Sequence, residues 1–269
     1  MVTAFYPIAY SFYLSLTNYR FGTVDIRIIG FDNYIKAFVS GDYVEALRIT
    51  LAFISVSVVI ELFLGLGSAL LLNSITKGTR VVKALVTLPI TITPLAAGLM
   101  WKWIFEPEVG IANYFLTLFG FSKQMWLGVP NLAFWAIVFT DIWRQTPFVI
   151  IVLLAGLSAI PSTLYEAAVI DGAGSWVSFR HITLPYLRPA IFVVLLSLTA
   201  TAFKVFDTVY ILTHGGPASA TEVLSFLIYR IGFKFSQLAY ASALSYLMLI
   251  ISLIISILYL LIIYPREHL

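Results

Sequence analysis

Residues 158–185 read Ser-Ala-Ile-Pro-Ser-Thr-Leu-Tyr-Glu-Ala-Ala-Val-Ile-Asp-Gly-Ala-Gly-Ser-Trp-Val-Ser-Phe-Arg-His-Ile-Thr-Leu-Pro, lodged between two long apolar runs. A connection this long is unusual unless it carries structure of its own. Ser162 is placed to cap a helix over 163–170, with Leu164, Ala167 and Ala168 apolar. Gly172 sits where a helix-ending glycine belongs. Ser175 is placed to cap a second short helix over 176–181, and Pro185 to stop it. The expected object is a helix–elbow–helix knob. Two readings stand: an amphipathic piece lying on lipid headgroups, or a docking surface for another protein. Small residues at the elbow favour the second.

The flanking runs decide the class. Hydrophobic residues make up 61% of the 269 residues and charged residues 11%, with mean hydropathy +0.98. An average soluble domain is about 45–50% apolar and about 25% charged. A soluble domain of this size cannot bury such an excess, so lipid is the solvent for much of the surface. A helix needs about 20 apolar residues to cross about 30 Å of hydrocarbon. Six candidate spans follow, at 2–16, 47–72, 81–105, 131–157, 189–212 and 238–264. The expected fold is all-α: one polytopic membrane domain over 1–269, with about six transmembrane helices and the 158–188 knob. The first run is short for a crossing and lacks the charged start and cleavage site of a signal peptide. Either it crosses with help from neighbouring helices or the true N-terminus lies upstream of Met1, and the second is expected.

An even number of spans puts both termini and the knob on one face. The loops of that face carry a basic excess, with Lys77, Arg80 and Lys83 clustered, whereas the opposite loops carry as many acids as bases. Cytoplasmic termini are expected on this ground. Elsewhere the basic residues are scattered, so no nucleic-acid partner is expected. The absence of cysteine excludes disulfides, thiolate metal sites and cysteine catalysis.

Ionisable residues inside spans are costly and are functional candidates. Asp141 and Arg144 lie three apart in the fourth run, and Lys204 and Asp207 in the fifth, so each pair is expected on one helical face. The plainer reading is that each pair neutralises itself to permit burial. Phe203, Lys204, Asp207 and Tyr210 combine the aromatic faces and hydrogen-bonding groups that a sugar requires. Glu61 stands alone and is expected to face lipid or another subunit. Pro89, Pro94 and Pro147 interrupt helices, as hinges or as packing kinks. The histidines (His181, His214, His268) fall in loops or the tail. The chain has no HExxH, GxSxG or GxxxxGK[ST] motif. No catalytic residue, no metal site and no cofactor on this chain is expected, and any ATP that drives it binds elsewhere.

Glu166-Ala167-Ala168, Asp171-Gly172-Ala173, Phe179, Ile182, Leu184-Pro185 and Pro189 resemble the EAA loop of type I ABC importer permeases, the inner-membrane components of binding-protein-dependent transport. Phe206-Asp207, Tyr210, Thr213, Gly215-Gly216-Pro217 and Thr221 resemble the segment after the fifth span in sugar permeases of the maltose and glycerol-phosphate type. Gly30-Phe31-Asp32-Asn33-Tyr34 resembles their extracytoplasmic loop. The resemblance covers essentially the whole chain and departs at the N-terminus, where the family has more residues. It implies a permease subunit of a carbohydrate importer in the inner membrane of a prokaryote, working by alternating access. The implied partners are a second, non-identical permease, two ATPase subunits holding ATP and Mg, and an extracytoplasmic solute-binding protein. The implied substrate is a di- or oligosaccharide or a glycerol-phosphate-like solute. By the same resemblance, Glu166, Ala167, Ala168, Asp171, Gly172, Ala173, Phe179, Leu184 and Pro185 couple to the ATPase, with Glu166 pairing a basic or polar group in its groove. Phe203, Lys204, Asp207, Tyr210, Asp141 and Arg144 are assigned to the substrate path. The competing expectation is a stand-alone secondary transporter or channel with Asp141, Lys204 and Asp207 as an ion relay.

Overall fold

A computed structural model describes residues 2–74 and 79–263. Lys77 and the tail bearing Arg266, Glu267 and His268 lie outside the described residues. In chain order the α-helices are α1 (Val2–Ser15), α2 (Asp32–Val39), α3 (Asp42–Ser74), α4 (Thr79–Thr87), α5 (Pro94–Ile104), α6 (Ile111–Leu118), α7 (Pro130–Ser158), α8 (Ser162–Ile170), α9 (Ser175–Ser178), α10 (Leu184–Phe203), α11 (Asp207–Leu212), α12 (Leu224–Tyr229) and α13 (Leu238–Ile263). Among the described residues the only extended pairing is one isolated bridge, Thr17 to Ile28.

Among the described residues four helical runs are long and apolar enough to cross a membrane: Asp42–Ser74, Pro130–Ser158, Ser175–Phe203 and Leu238–Ile263. One further pair of helices is apolar enough only when taken together, and it is bent. Val81–Thr91 and Pro94–Ile104 meet at 98°, where the sequence predicts one span over 81–105. Two prolines remove two amide donors, and the chain answers with local bonds. Leu88–Thr91 tightens into a 3-10 turn, Ile92 N–H donates to the Pro89 carbonyl, and Thr93 Oγ1 caps α5 by accepting from Ala96 N–H. Pro94 then occupies the first helical position, where a missing N–H costs nothing. α1 covers only about 21 Å at 1.5 Å per residue. It leans on α13, where Phe12 meets the edge of Tyr246 at 5.2 Å between ring centres.

The fifth predicted span, 189–212, is displaced toward the N-terminus. The observed run starts at Ser175, passes through a π turn at Phe179–Thr183 and ends at Phe203. Pro185 does not stop it. In the π turn Leu184 N–H reaches back five residues to the Phe179 carbonyl, so Pro185 falls in the first turn of a fresh α segment, where its missing donor is tolerated.

The core is built on α3 against α7, with α10 closing over both. Phe53, Val58, Val149, Leu153, Leu187 and Leu198 are buried in it. Helix backbones approach closely where glycine allows it. A Cβ added at Gly65 of α3 falls 2.3 Å from Val149 Cγ1 of α7, and one at Gly156 of α7 falls 2.8 Å from Leu187 Cδ2 of α10. Gly67, two residues on, faces open space. Substituting Gly65 by Val forces α3 and α7 apart at a cost of about 1–3 kcal/mol. Thermal unfolding of the detergent-purified chain then shifts down for Gly65→Val, while Gly67→Ala holds or gains slightly through its lower unfolded-state entropy.

Candidate functional site

The knob forms as a turn closed by backbone bonds. Ile170 ends α8, Asp171 follows as the cap, and Gly172 takes φ +75°. Gly172 N–H donates to the Val169 carbonyl and Ala173 N–H to the Ala168 carbonyl, at 3.1 and 2.8 Å. This is a Schellman turn, and its left-handed position favours glycine because a Cβ there crowds the following carbonyl. Ser162 and Ser175 open their helices without capping them through their side chains; Pro161 and Gly174 hold the cap positions. Glu166 and Ala167 are exposed on α8. Val169, Ile170 and Trp176 are exposed apolar groups at 71%, 85% and 70%. Between the two arms lies a groove of 780 Å³ lined by Tyr165, Val169, Ala173, Trp176, Phe179 and Thr183. Trp176 stacks on Phe179, and the hydroxyls of Tyr165 and Thr183 share a hydrogen bond of 2.9 Å. Leu184 and Pro185 lie on the rising helix just above.

The knob's second arm is not a separate short helix. It is the first turn of the membrane-spanning run Ser175–Phe203. The elbow therefore opens straight into a rod of about 43 Å, at 1.5 Å per residue.

Asp141 and Arg144 form the expected pair on α7, Arg144 Nη2 donating to Asp141 Oδ1 at 3.1 Å, with side chains 3% and 13% exposed. Lys204 and Asp207 do not share a helical face. α10 ends at Phe203, Lys204 adopts φ −96° and ψ 15° as its cap, and Asp207 begins α11. Among the described residues no ion pair joins them. Lys204 is exposed, Phe203 is buried and Asp207 is half-buried. Tyr210 belongs to an aromatic group that sequence spacing does not reveal: Phe206 stacks on it at 5.4 Å, Tyr229 meets its edge at 5.8 Å, and His214 meets it at 4.9 Å. Below Tyr229, Glu222 Oε1 and Arg230 Nε form an ion pair at 2.6 Å. Burial pushes the Glu222 carboxyl up, and the Arg230 guanidinium opposes the push. The Gly215-Gly216-Pro217 turn is closed by Thr221, whose hydroxyl bonds both the Gly216 carbonyl and Thr213 at 2.7 Å.

Glu61 corrects its expectation. It is 1% exposed inside the chain itself, neither facing lipid nor available to another subunit, and it interacts electrostatically with Asp141 and Arg144. A lone carboxyl in an apolar run was the visible signal; its partners sit on another helix.

Comparison with known proteins covers nearly the whole chain. The trehalose/maltose transport system permease protein MalF of Thermococcus litoralis is 37% identical over 94% of this chain and 86% of its own length. The sulfoquinovosyl glycerol transport system permease protein SmoG of Agrobacterium fabrum is 36% identical over 97% of this chain and 85% of its own. Among solved structures, a bacterial ABC transporter involved in the import of the acidic polysaccharide alginate superposes with a TM-score of 0.84 at 24% identity, covering 98% of this chain and 90% of that one, a likeness of fold. A family profile described as binding-protein-dependent transport system inner membrane component matches residues 46–265, and the chain belongs to that family.

Proposed function

We propose that this chain is the membrane-spanning subunit of an ATP-driven carbohydrate importer, working by alternating access with its termini on the cytoplasmic side. As a member of its family it is a transport component and not an enzyme. The observation that carries the reading is the exposed knob built directly onto a transmembrane rod. An ATPase subunit gripping Glu166 and the apolar groove beside it moves α8, and the Schellman elbow passes that motion into Ser175–Phe203 without a flexible linker. The rod ends at Phe203, so its motion is delivered to the Lys204 joint and the aromatic group around Tyr210.

The substrate reading rests on chemistry. Sugars present hydroxyls to polar groups and ring faces to aromatic ones. Phe203, Lys204, Asp207, Tyr210, Asp141 and Arg144 offer both. The relatives' names, trehalose/maltose and sulfoquinovosyl glycerol, point to the same class. A second permease completes the pathway, a solute-binding protein delivers the sugar, and ATP with Mg binds the two ATPase subunits.

Two variants test the coupling. Glu166→Lys reverses an exposed charge on the knob; the expected result is loss of ATPase co-purification with unchanged thermal unfolding of the membrane subunit. Gly172→Val places a side chain at positive φ and strains the elbow by about 1–2 kcal/mol; uptake per ATP hydrolysed is expected to fall. Uptake into proteoliposomes that continues without any ATPase subunit overturns the importer reading in favour of a stand-alone transporter.

A further inference from the structure

Glu61 is the one carboxyl of α3 beyond its first turn. Ile60 and Leu64 of α3 line one cavity with Val138 and Ile142 of α7, and Leu72 lines another with Ile150 and Leu154, so the two helices run in the same direction. Their backbones touch where Gly65 meets Val149. One turn earlier on each helix brings Glu61 level with Gln145, beside Arg144 and one further turn from Asp141. Glu61 lies within electrostatic reach of both, so two buried carboxyls share one region with one guanidinium.

The bonds within the cluster are incomplete. Arg144 spends Nη2 on Asp141. Among the described residues, Arg144 Nε and Glu61 Oε1 are buried and without a hydrogen-bond partner. A guanidinium carries five N–H donors in a rigid fork and can serve two carboxyls. An unmade bond at a buried charged group is costly, and ionisable groups persist inside spans where function needs them. An unused donor and an unused acceptor on adjacent helices mark a second seat for the guanidinium.

We propose that Glu61 is a positioning residue of the substrate path: its carboxyl is the alternative seat for Arg144, which passes between Asp141 on its own helix and Glu61 on α3 as the two helices shift. This rests on the reading that Asp141 and Arg144 face the sugar. Asp141 and Arg144 ride on one rigid helix, so their bond is insensitive to motion of α3. The Glu61 contact alone reports it.

Structures of the assembled importer in nucleotide-free and ATP-analogue-trapped states test the exchange without any sugar. Arg144 on Asp141 in one state and within hydrogen-bond reach of Glu61 in the other is the expected result; the same seat in both overturns the proposal. Uptake supplies the second measurement, with maltose, trehalose and sulfoquinovosyl glycerol offered through the importer's own binding protein and the transported one used as probe. Glu61→Gln, nearly isosteric, is expected to raise the apparent KM about fivefold, within the range of 0.5–2 kcal/mol typical of coupled positions, with complex yield and unfolding temperature unchanged. Glu61→Asp recovers part of the loss, and carries the same KM measurement if Glu61→Gln fails to assemble. A lowered unfolding temperature with unchanged KM assigns Glu61 a structural role only and overturns the proposal. Arg144→Ala separates the two readings: if it leaves KM unchanged, the substrate-path assignment itself fails, and if it raises KM while Glu61→Gln does not, only the role of Glu61 fails.

Discussion

Hydrocarbon offers no hydrogen bonds, so every backbone group that enters it must be satisfied along its own segment. The long helices of this chain follow from that constraint, and so do the places where they break. Each break is repaired locally. At the prolines of the third span a 3-10 turn and a threonine cap take up the freed groups. At Phe179–Thr183 the bonds lengthen by one residue into a π turn. Beyond Phe203, Lys204 N–H and Val205 N–H fold back onto the Thr201 and Ala202 carbonyls, and Tyr210 N–H onto that of Phe206. The second and third repairs bracket α10, one near the knob and the other beside the aromatic group.

That arrangement makes the knob and the aromatic group two ends of one mechanical element. The rod packs against α3 and α7 with Leu187, Val194, Leu198 and Phe203 buried along it, so it moves only with its neighbours. The close approach at Gly156 meets Leu187 and Ala190 of that rod. Tight packing resists continuous deformation, so motion is channelled into the turns and into sliding of helix on helix.

The charges sort by environment. Arg48 with Glu45 and Lys123 with Glu108 are solvent-exposed pairs, which water screens so that they add little to stability. Asp141 with Arg144 is buried, and burial makes incomplete pairing expensive. Glu61 adds a second acid to that single base, an arrangement that packing alone does not explain.

Much was legible beforehand. Apolar runs of the right length announced spans because lipid leaves helices few alternatives, and the positive-φ glycine at 172 announced the elbow because few residues tolerate that conformation. The i, i+3 spacing of Asp141 and Arg144 predicted their bond because both lie on one unbroken helix. The same spacing misled at Lys204 and Asp207, where the helix ends between them, and the prolines at 185 and 189 misplaced the start of that span because a π turn carries no sequence signature of its own. By itself, then, the sequence determined what local chain physics controls: the length of the unbroken spans, the glycine elbow and the Asp141–Arg144 pair, while its motif implied the partners. Only the tertiary structure decided what depends on contact between distant segments, namely that Glu61 is buried within electrostatic reach of Arg144 and that Tyr210 meets Tyr229, because those relations are set by how helices pack and not by the spacing of residues along any one of them.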